Sequence, residues 1–346
     1  MIAPKLAELP PPPPGRTGWP WTEGSPPIAA DAAWPRISVV VPSYQQGDFL
    51  EETLRSVLLQ GYPDLELLVM DGGSRDGSVD VIRKYERFLA GWVSERDDGQ
   101  SAAINKGWRR ARGELLTWLN SDDCLLPGWA AAAAGALRAD PELDFTYCDV
   151  QMTDRDSRPL WVFTGRQPSI ERLMLMWQAP FAQQGFLMRR RAFERCGYLD
   201  ESIHFIMDAE YWLRAMTAGA KFLHLKQTLA ASRLHDAAKT ATKRDVLLAD
   251  LLKLTDDFCQ TATGDMAPLV EKVRRRKYWN AAHVAYDGDE RREAIRYALR
   301  HLRDDGVRAA PRVGGMIALS LLGPWGHRAL GAWRGYRNRR ADRRAS

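Results

Sequence analysis

The sequence predicts an α/β chain: one mainly parallel sheet flanked by helices, followed by a helical C-terminal extension. Three observations predict it. Short β-branched runs alternate with helical apolar spacing from residue 37 to about 140, the signature of βαβ units. Acidic or glycine-rich turns follow several of those runs, where ligands gather in parallel sheets. From about residue 243 the pattern is helical throughout.

Residues 1–35 contain the run Pro10–Pro14 and further prolines at 20, 26, 27 and 35. Proline removes donors and favours extended backbone, so a disordered, proline-rich leader is expected. Ile37–Val41 is a buried strand closed by Pro42. Residues 48–60 carry Phe49, Leu50, Leu54, Val57 and Leu58 on one helical face. Leu65–Met70 is the second strand. The loop Asp71-Gly-Gly-Ser-Arg-Asp-Gly77 follows, then helical spacing over 78–89. Gly91–Ser94 is a short strand, 100–111 a helix, and Leu115–Leu119 a strand running into Asn120-Ser-Asp-Asp123. An alanine-rich helix (130–138) follows Pro127. Residues 143–150 and 159–164 are extended, 207–219 helical, and 222–225 and 228–233 extended.

Composition narrows the class. Of 346 residues, 45% are apolar and 27% charged, an ordinary globular balance. The four cysteines form no CxxC pair, which offers neither a zinc nor a redox motif and fits a reducing cytoplasm. No run of about 18 uncharged apolar residues exists, and no basic n-region precedes an apolar core at the N-terminus. The net charge of +5 is uneven. Residues 271–346 hold 19 basic against 8 acidic groups, whereas residues 1–270 hold 30 against 36. Basic character confined to the tail argues against a nucleic-acid groove.

Four places could carry chemistry. Asp122 and Asp123 repel one another at a strand end unless a divalent cation neutralises them. Oxygen ligands suit Mg²⁺ or Mn²⁺, and the plain alternative is a solvated turn or helix cap. Asp71 precedes two glycines; it either accepts from a base N–H or closes an Asx-turn. Asp208 opens the helix Met207-Asp-Ala-Glu-Tyr-Trp-Leu-Arg214, as a general base or as an acid favoured by the helix dipole. Arg233 and His235, two apart in an extended segment, either meet a diphosphate or form an ordinary half-exposed pair.

Taken in order, the segments Ile37–Tyr44, Val69–Gly77, Ser94-Glu-Arg-Asp-Asp-Gly-Gln-Ser101 with Ala103–Gly107, Trp118–Asp123, Met207–Arg214 and Arg233–His235 resemble the family 2 inverting glycosyltransferases of GT-A fold, a Rossmann-like architecture. The block at 94–101 resembles the branch of bacterial O-antigen and exopolysaccharide assembly. The resemblance implies a GT-A domain over 36–240, with 241–346 a helical extension ending in a basic tail. It implies a nucleotide-sugar site of Pro42, Ser43, Tyr44, Asp71, Asp97, Gln100, Lys106, Asp122 and Arg233. Asp123 and His235 would hold Mn²⁺ or Mg²⁺, with Asp208 as catalytic base. The second acid that many members carry after the Asp71 position is absent, since Gly72 stands there. No Gln-x-x-Arg-Trp occurs, which speaks against a processive synthase.

A dehydrogenase would need a dinucleotide fingerprint after the first strand, and Pro42-Ser-Tyr-Gln-Gln46 lacks it. A nucleotidyltransferase would need a glycine- and basic-rich loop there, also missing. A non-catalytic binder predicts loss of the acids, yet Asp122, Asp123 and Asp208 are present. The expected partners are a nucleotide-diphosphate sugar, a glycan or lipid-linked acceptor, and no nucleic acid. Acceptor contacts are expected from Trp161, Trp177, Gln183, Gln184 and Trp212. The uncharged stretch Val313–His327 followed by seven arginines suits the surface of an anionic membrane, at the inner face of the plasma membrane.

Overall fold

The structure, a computed structural model, describes residues 4–28, 33–235 and 244–321. It divides into two compact units, Met1–Ile170 with Ala179–Ala238, and Glu171–Gln178 with Lys239–Ser346.

The first unit is built on a nine-stranded sheet of order β3-β2-β1-β4-β8-β6-β9-β5, with β7 on β6. Its N-terminal half alternates β1 (Ile37–Ser43), α1 (Gly47–Leu58), β2 (Leu65–Asp71), α2 (Ser78–Tyr85), β3 (Gly91–Ser94), α3 (Gln100–Arg110) and β4 (Leu115–Trp118). These four strands are mutually parallel. Every residue of β1 and β2 is buried, which is why both read as unbroken apolar runs. Gly107 of α3 lies so close to β1 that a Cβ there would stand 2.3 Å from Val40 Cγ1, so the helix can pack this tightly only with glycine.

The second half is mixed. It comprises β5 (Cys124–Leu125), α4 (Trp129–Ala139), β6 (Phe145–Thr153), β7 (Pro159–Phe163), α5 (Ile170–Met176), β8 (Leu187–Arg189), α6 (Arg190–Cys196), α7 (Met207–Thr217) and β9 (Phe222–Arg233). β8 runs antiparallel between β4 and β6, whereas β9 returns parallel to β6. The two extended segments read at 222–225 and 228–233 are one strand, irregular where Lys226 takes a positive φ of 53°. α7 packs through a buried aromatic cluster in which Trp212 stacks on Trp118, 6.0 Å between centroids, and meets Phe145, Phe181 and Phe186. Trp212 is therefore core and not an acceptor platform.

The leader is not a free arm. Leu9 and Trp21 are buried, and the Trp19 indole donates to Leu125 O (2.9 Å). Arg55, fully buried on α1, donates to Pro10 O (2.8 Å), Pro20 O (3.0 Å), Trp21 O (2.8 Å) and the Tyr85 hydroxyl (2.9 Å). Prolines supply carbonyls without competing N–H groups, and a buried guanidinium supplies the donors those carbonyls need. Arg55→Ala is expected to lower stability by on the order of 3 kcal/mol, because the carbonyls lose their charged partner in a buried site. A urea midpoint and limited proteolysis check this; unchanged cleavage within residues 4–28 would contradict it.

The second unit contains α8 (Arg244–Thr261), α9 (Ala267–Asp287), α10 (Arg291–Asp305) and α11 (Ala310–Leu321). Its core includes Leu248, Ala281, Ala285, Tyr286, Ala298, Val313 and Met316. Residues 171–178 belong with it and not with the sheet. Asn280 donates to Leu175 O (2.9 Å) and the Trp177 indole to Thr255 Oγ1 (3.1 Å), contacts between distant segments that sequence spacing does not carry. Trp177 is thus held inside this helical unit. No described helix is long and apolar enough to cross a membrane.

Candidate active site at the strand ends

The carboxyl ends of β1, β2 and β4 gather the predicted acids. Asp71 ends β2 and is buried. Its Oδ2 accepts from Gly73 N (3.0 Å), Ser74 N (2.9 Å) and Ser94 Oγ (2.6 Å), and its Oδ1 from Ser74 Oγ (2.6 Å). The Asx-turn reading holds here. Asp71 shapes the loop, and its lone pairs are largely spent on it. Ser43 Oγ, at the end of β1, is buried without a hydrogen-bond partner. The neighbouring Tyr44 is 61% exposed.

Asp97 stands against Gly72. A Cβ on Gly72 would meet Asp97 Oδ2 at 3.0 Å and Oδ1 at 3.2 Å. Gly99 N donates to Asp97 Oδ1 (3.0 Å). Burial raises the Asp97 pKa, while the Gly99 N–H and the Lys106 ammonium oppose the shift. Lys106 itself pairs with Glu95 at 2.8 Å.

The acid pair sits in the turn after β4. Asp123 points inward: Oδ2 accepts from Gln184 Nε2 (2.6 Å) and Asn120 Nδ2 (3.1 Å), and Oδ1 from Arg233 N (3.0 Å). Burial, then the neighbouring Asp122, pushes its pKa up to about 7. Asp122 is the carboxylate that meets His235, with Nε2 to Oδ2 3.0 Å, and it keeps 18% side-chain exposure. Both oxygens of Asp123, expected as a cation ligand, accept from protein donors here, and Asp122, expected in the nucleotide-sugar site, lies beside His235.

Arg233 is likewise committed. Its guanidinium donates to Asp122 O (3.0 Å), Arg155 O (2.9 Å), Ser157 Oγ (2.7 Å) and Glu52 Oε2 (3.1 Å). It is buried, and a diphosphate would have to displace these partners. Arg233 clamps the β6–β7 turn to the acid pair. Glu52 and Ser157, which complete this clamp, were missed in the sequence. An acid at position 52, between Phe49, Leu50, Thr53 and Leu54 on the inner face of α1, was the available signal. Gln184, expected at an acceptor, instead bonds Asp123, and Gln183 donates to Trp118 O (2.6 Å). Trp161 alone among the expected aromatics is strongly exposed, on edge strand β7.

The start of α3 joins the acid pair to Asp208. Gln100 Nε2 donates to Asn120 Oδ1 (2.7 Å), and Asn120 in turn to Asp123. Ser101 Oγ lies 3.0 Å from Met207 Sδ, at the first residue of α7. Asn105 holds the preceding loop by bonds to Leu199 O and N (3.0 and 2.9 Å). Asp208 follows in the first turn of α7, half-buried, with Oδ1 accepting from Ala209 N (2.8 Å). Glu210 is paired to Arg214 at 2.5 Å, and Arg214 also donates to Cys196 O and Tyr198 O, so that pair fastens α7 to α6.

Among the described residues no group of three or more His, Cys, Asp or Glu side chains is arranged to hold a cation alone. The fit is nonetheless good for a cation shared with phosphate. His235 is buried with Nδ1 unpartnered beside Asp122, and Mg²⁺ typically takes one or two carboxylates plus substrate phosphates and water.

Residues 38–197 match the family model for Glycosyl transferase family 2. Over 92 residues the chain is 37% identical to TuaG of Bacillus subtilis, named for teichuronic acid biosynthesis; that stretch is 26% of this chain and 36% of TuaG. Two solved structures share the fold. The mannosyltransferase PcManGT of Pyrobaculum calidifontis, in complex with GDP-Man and Mn²⁺, aligns with a TM-score of 0.55 and 18% identity over 91% of this chain and 88% of that one. TarS 1–349 of S. aureus, in complex with UDP-GlcNAc, aligns with a TM-score of 0.57 and 16% identity over 86% and 87%.

Proposed function

We propose, from the premise that residues 38–197 are a family 2 glycosyltransferase domain on a GT-A sheet, that the protein transfers one sugar with inversion from a nucleotide-diphosphate sugar to a hydroxyl acceptor. The observation that carries this reading is the start of α3, where Gln100 reaches the Asp123 turn and the adjacent Ser101 reaches the start of the Asp208 helix. A carboxylate able to take a proton and an acid pair able to meet a charged leaving group thereby share one end of the sheet.

Asp208 takes the proton of the acceptor hydroxyl as its oxygen attacks the anomeric carbon. Asp122 and His235 would hold Mg²⁺ or Mn²⁺, which neutralises charge on the departing nucleoside diphosphate. Asp123 stays behind them, fixed by Gln184, Asn120 and the Arg233 N–H, and keeps the turn in place. The chain lacks Gln-x-x-Arg-Trp, which supports transfer of single sugars. TuaG's name supports surface-polysaccharide or glycolipid assembly as the setting. A screen of nucleotide sugars by nucleoside diphosphate release, with Mn²⁺ and with excess chelator, tests the reading. Turnover is expected only with the cation and with inversion at the anomeric carbon. Full turnover in chelator removes the cation from the mechanism, and retained configuration removes the single displacement.

The acceptor reading extends to a membrane surface. Of the apolar stretch expected at the lipid, α11 ends at Leu321, and residues 322–346 with their arginines lie outside the described residues. A version ending at Leu321 keeps Val313 and Met316 of the helical core. Its sedimentation with anionic vesicles is expected to fall below that of the full chain, since each basic group near such a surface contributes about 1 kcal/mol. Equal sedimentation of the two would exclude the tail.

A further inference from the structure

The turn that carries Asp122 and Asp123 is held from outside its own segment. α1 presents Phe49, Glu52 and Thr53, spaced i, i+3 and i+4, on its buried face. All three meet the acid turn or its partners. The Phe49 ring lies 4.7 Å from the His235 ring and 4.9 Å from the Arg233 guanidinium, between centres. Glu52 Oε2 accepts from Arg233 Nη2 (3.1 Å). The Thr53 hydroxyl donates to both Ser121 O (2.9 Å) and Asp123 O (2.7 Å), one proton shared between two carbonyls.

Thr53 is fully buried. A threonine inside a helix commonly returns its hydroxyl to the carbonyl one turn back. Thr53 sends it across to the turn instead, and its own carbonyl accepts from Ser56 Oγ (2.7 Å). The two carbonyls it holds flank Asp122. The carbonyl between them, Asp122 O, accepts from Arg233 Nε (3.0 Å). Three consecutive carbonyls are thus tied to side-chain donors, which fixes the peptide planes around Asp122 and leaves its carboxylate facing His235 Nε2 at 3.0 Å. The next residues have ties that do not involve Thr53. Leu125 N donates to Ser56 Oγ (3.1 Å) and Leu126 N to Leu229 O (2.8 Å). Removing the Thr53 hydroxyl therefore loosens the part that carries the acids before it loosens β5.

We propose that Thr53 is a positioning residue for the cation and the leaving diphosphate. It is not itself a ligand. It acts through the Ser121 and Asp123 carbonyls and holds the Asp122 carboxylate where, with His235, it meets the cation. Partners that orient a metal ligand typically change metal affinity 10- to 100-fold when removed. This inference rests on the cation-dependent nucleotide-sugar reading of the site, and its test separates the two.

The experiment is calorimetric titration of Mn²⁺ into the full chain saturated with UDP or GDP, alongside thermal unfolding of each protein. Thr53→Val keeps the branched shape and removes the donor. Its Mn²⁺ affinity is expected to fall about tenfold or more, while nucleotide affinity in excess chelator stays within about threefold of wild type. Thr53→Ser keeps the hydroxyl, and its Mn²⁺ affinity is expected to stay within about threefold of wild type. Thr53→Ala carries the same expectation as the valine and replaces it if the valine does not fold. Ser38→Ala is the control. It removes an equally buried hydroxyl, which accepts from Gly113 N (2.7 Å) at the start of β1, the opposite end of that strand from the site. It is expected to lower the melting temperature and leave Mn²⁺ affinity unchanged. A merely structural Thr53 predicts that same result for Thr53→Val, so a lower melting temperature with wild-type Mn²⁺ affinity overturns the proposal. A loss in Thr53→Ser as large as in Thr53→Val also overturns it. If the wild-type chain binds UDP and GDP equally in Mn²⁺ and in chelator, the cation reading falls and this proposal with it.

Discussion

Asp208→Asn is expected to leave UDP or GDP affinity within about threefold of wild type while turnover falls roughly 10²–10⁴-fold, the range for loss of a general base. The substitution keeps shape and removes the charge and the proton-accepting oxygen. Asparagine keeps the volume and a side-chain carbonyl that can accept from Ala209 N, as Asp208 Oδ1 does at 2.8 Å. The helix start is held independently, by Ser101 against Met207 and by the buried Trp212 and Tyr211 of α7. The amide cannot take a proton from an acceptor hydroxyl. Calorimetry separates binding from chemistry, and single-turnover kinetics read the transfer step. An equal loss in both would make Asp208 a binding residue. Unchanged turnover would move the base elsewhere.

The elements that position Asp208 differ in how far the sequence announces them. β1 and β2 were legible because strands buried on both faces are written as unbroken runs, Ile37–Val41 and Leu65–Met70. α1, α2, α3 and α7 showed their apolar spacing. β5 and β8 were not legible. Two or three residues hold no period, and their strand character comes only from pairing with β9, β4 and β6 across large sequence distances. The leader was misread for a related reason. Its prolines do argue against regular structure, but the partner that orders it, Arg55, lies more than thirty residues further on, and nothing local to the leader reveals it.

Within the site, the residue types were legible and their directions were not. Asp122 and Asp123 stood out as a pair, but which one faces the cation depends on the turn geometry after β4 and on Gln184, Asn120 and Arg233, which sit on other segments. The spacing of Arg233 and His235 on one extended segment left a diphosphate contact and an ordinary pair both open, and the family resemblance implied the former. In the structure Glu52 and the β6–β7 turn hold its guanidinium. Single-segment spacing does not encode such competition between long-range partners.

That distinction between the two acids yields the second large effect. Asp122→Asn is expected to lower turnover at least about 10²-fold and to remove most of the Mn²⁺-dependent part of UDP or GDP affinity, on the scale of losing a charged group at a metal or leaving-group site. Its melting temperature is expected to change little, because the side chain is partly exposed and His235 is the one partner of its carboxylate among the described residues. Asp123→Asn is expected to behave differently. An amide in place of that buried carboxylate sets its N–H either against Gln184 Nε2 and Asn120 Nδ2 or against Arg233 N–H, all donors, so the turn itself has to rearrange. Its loss of activity should come with a changed melting temperature, even without cation. Titration of Mn²⁺ into each variant in the presence of UDP or GDP, paired with thermal unfolding of the cation-free proteins, separates the two roles. If Asp123→Asn alone lost the cation dependence and Asp122→Asn kept it, Asp123 would turn outward in the loaded enzyme. The cation would then be held through Asp123, with Asp122 in the nucleotide-sugar site, as the family resemblance implies.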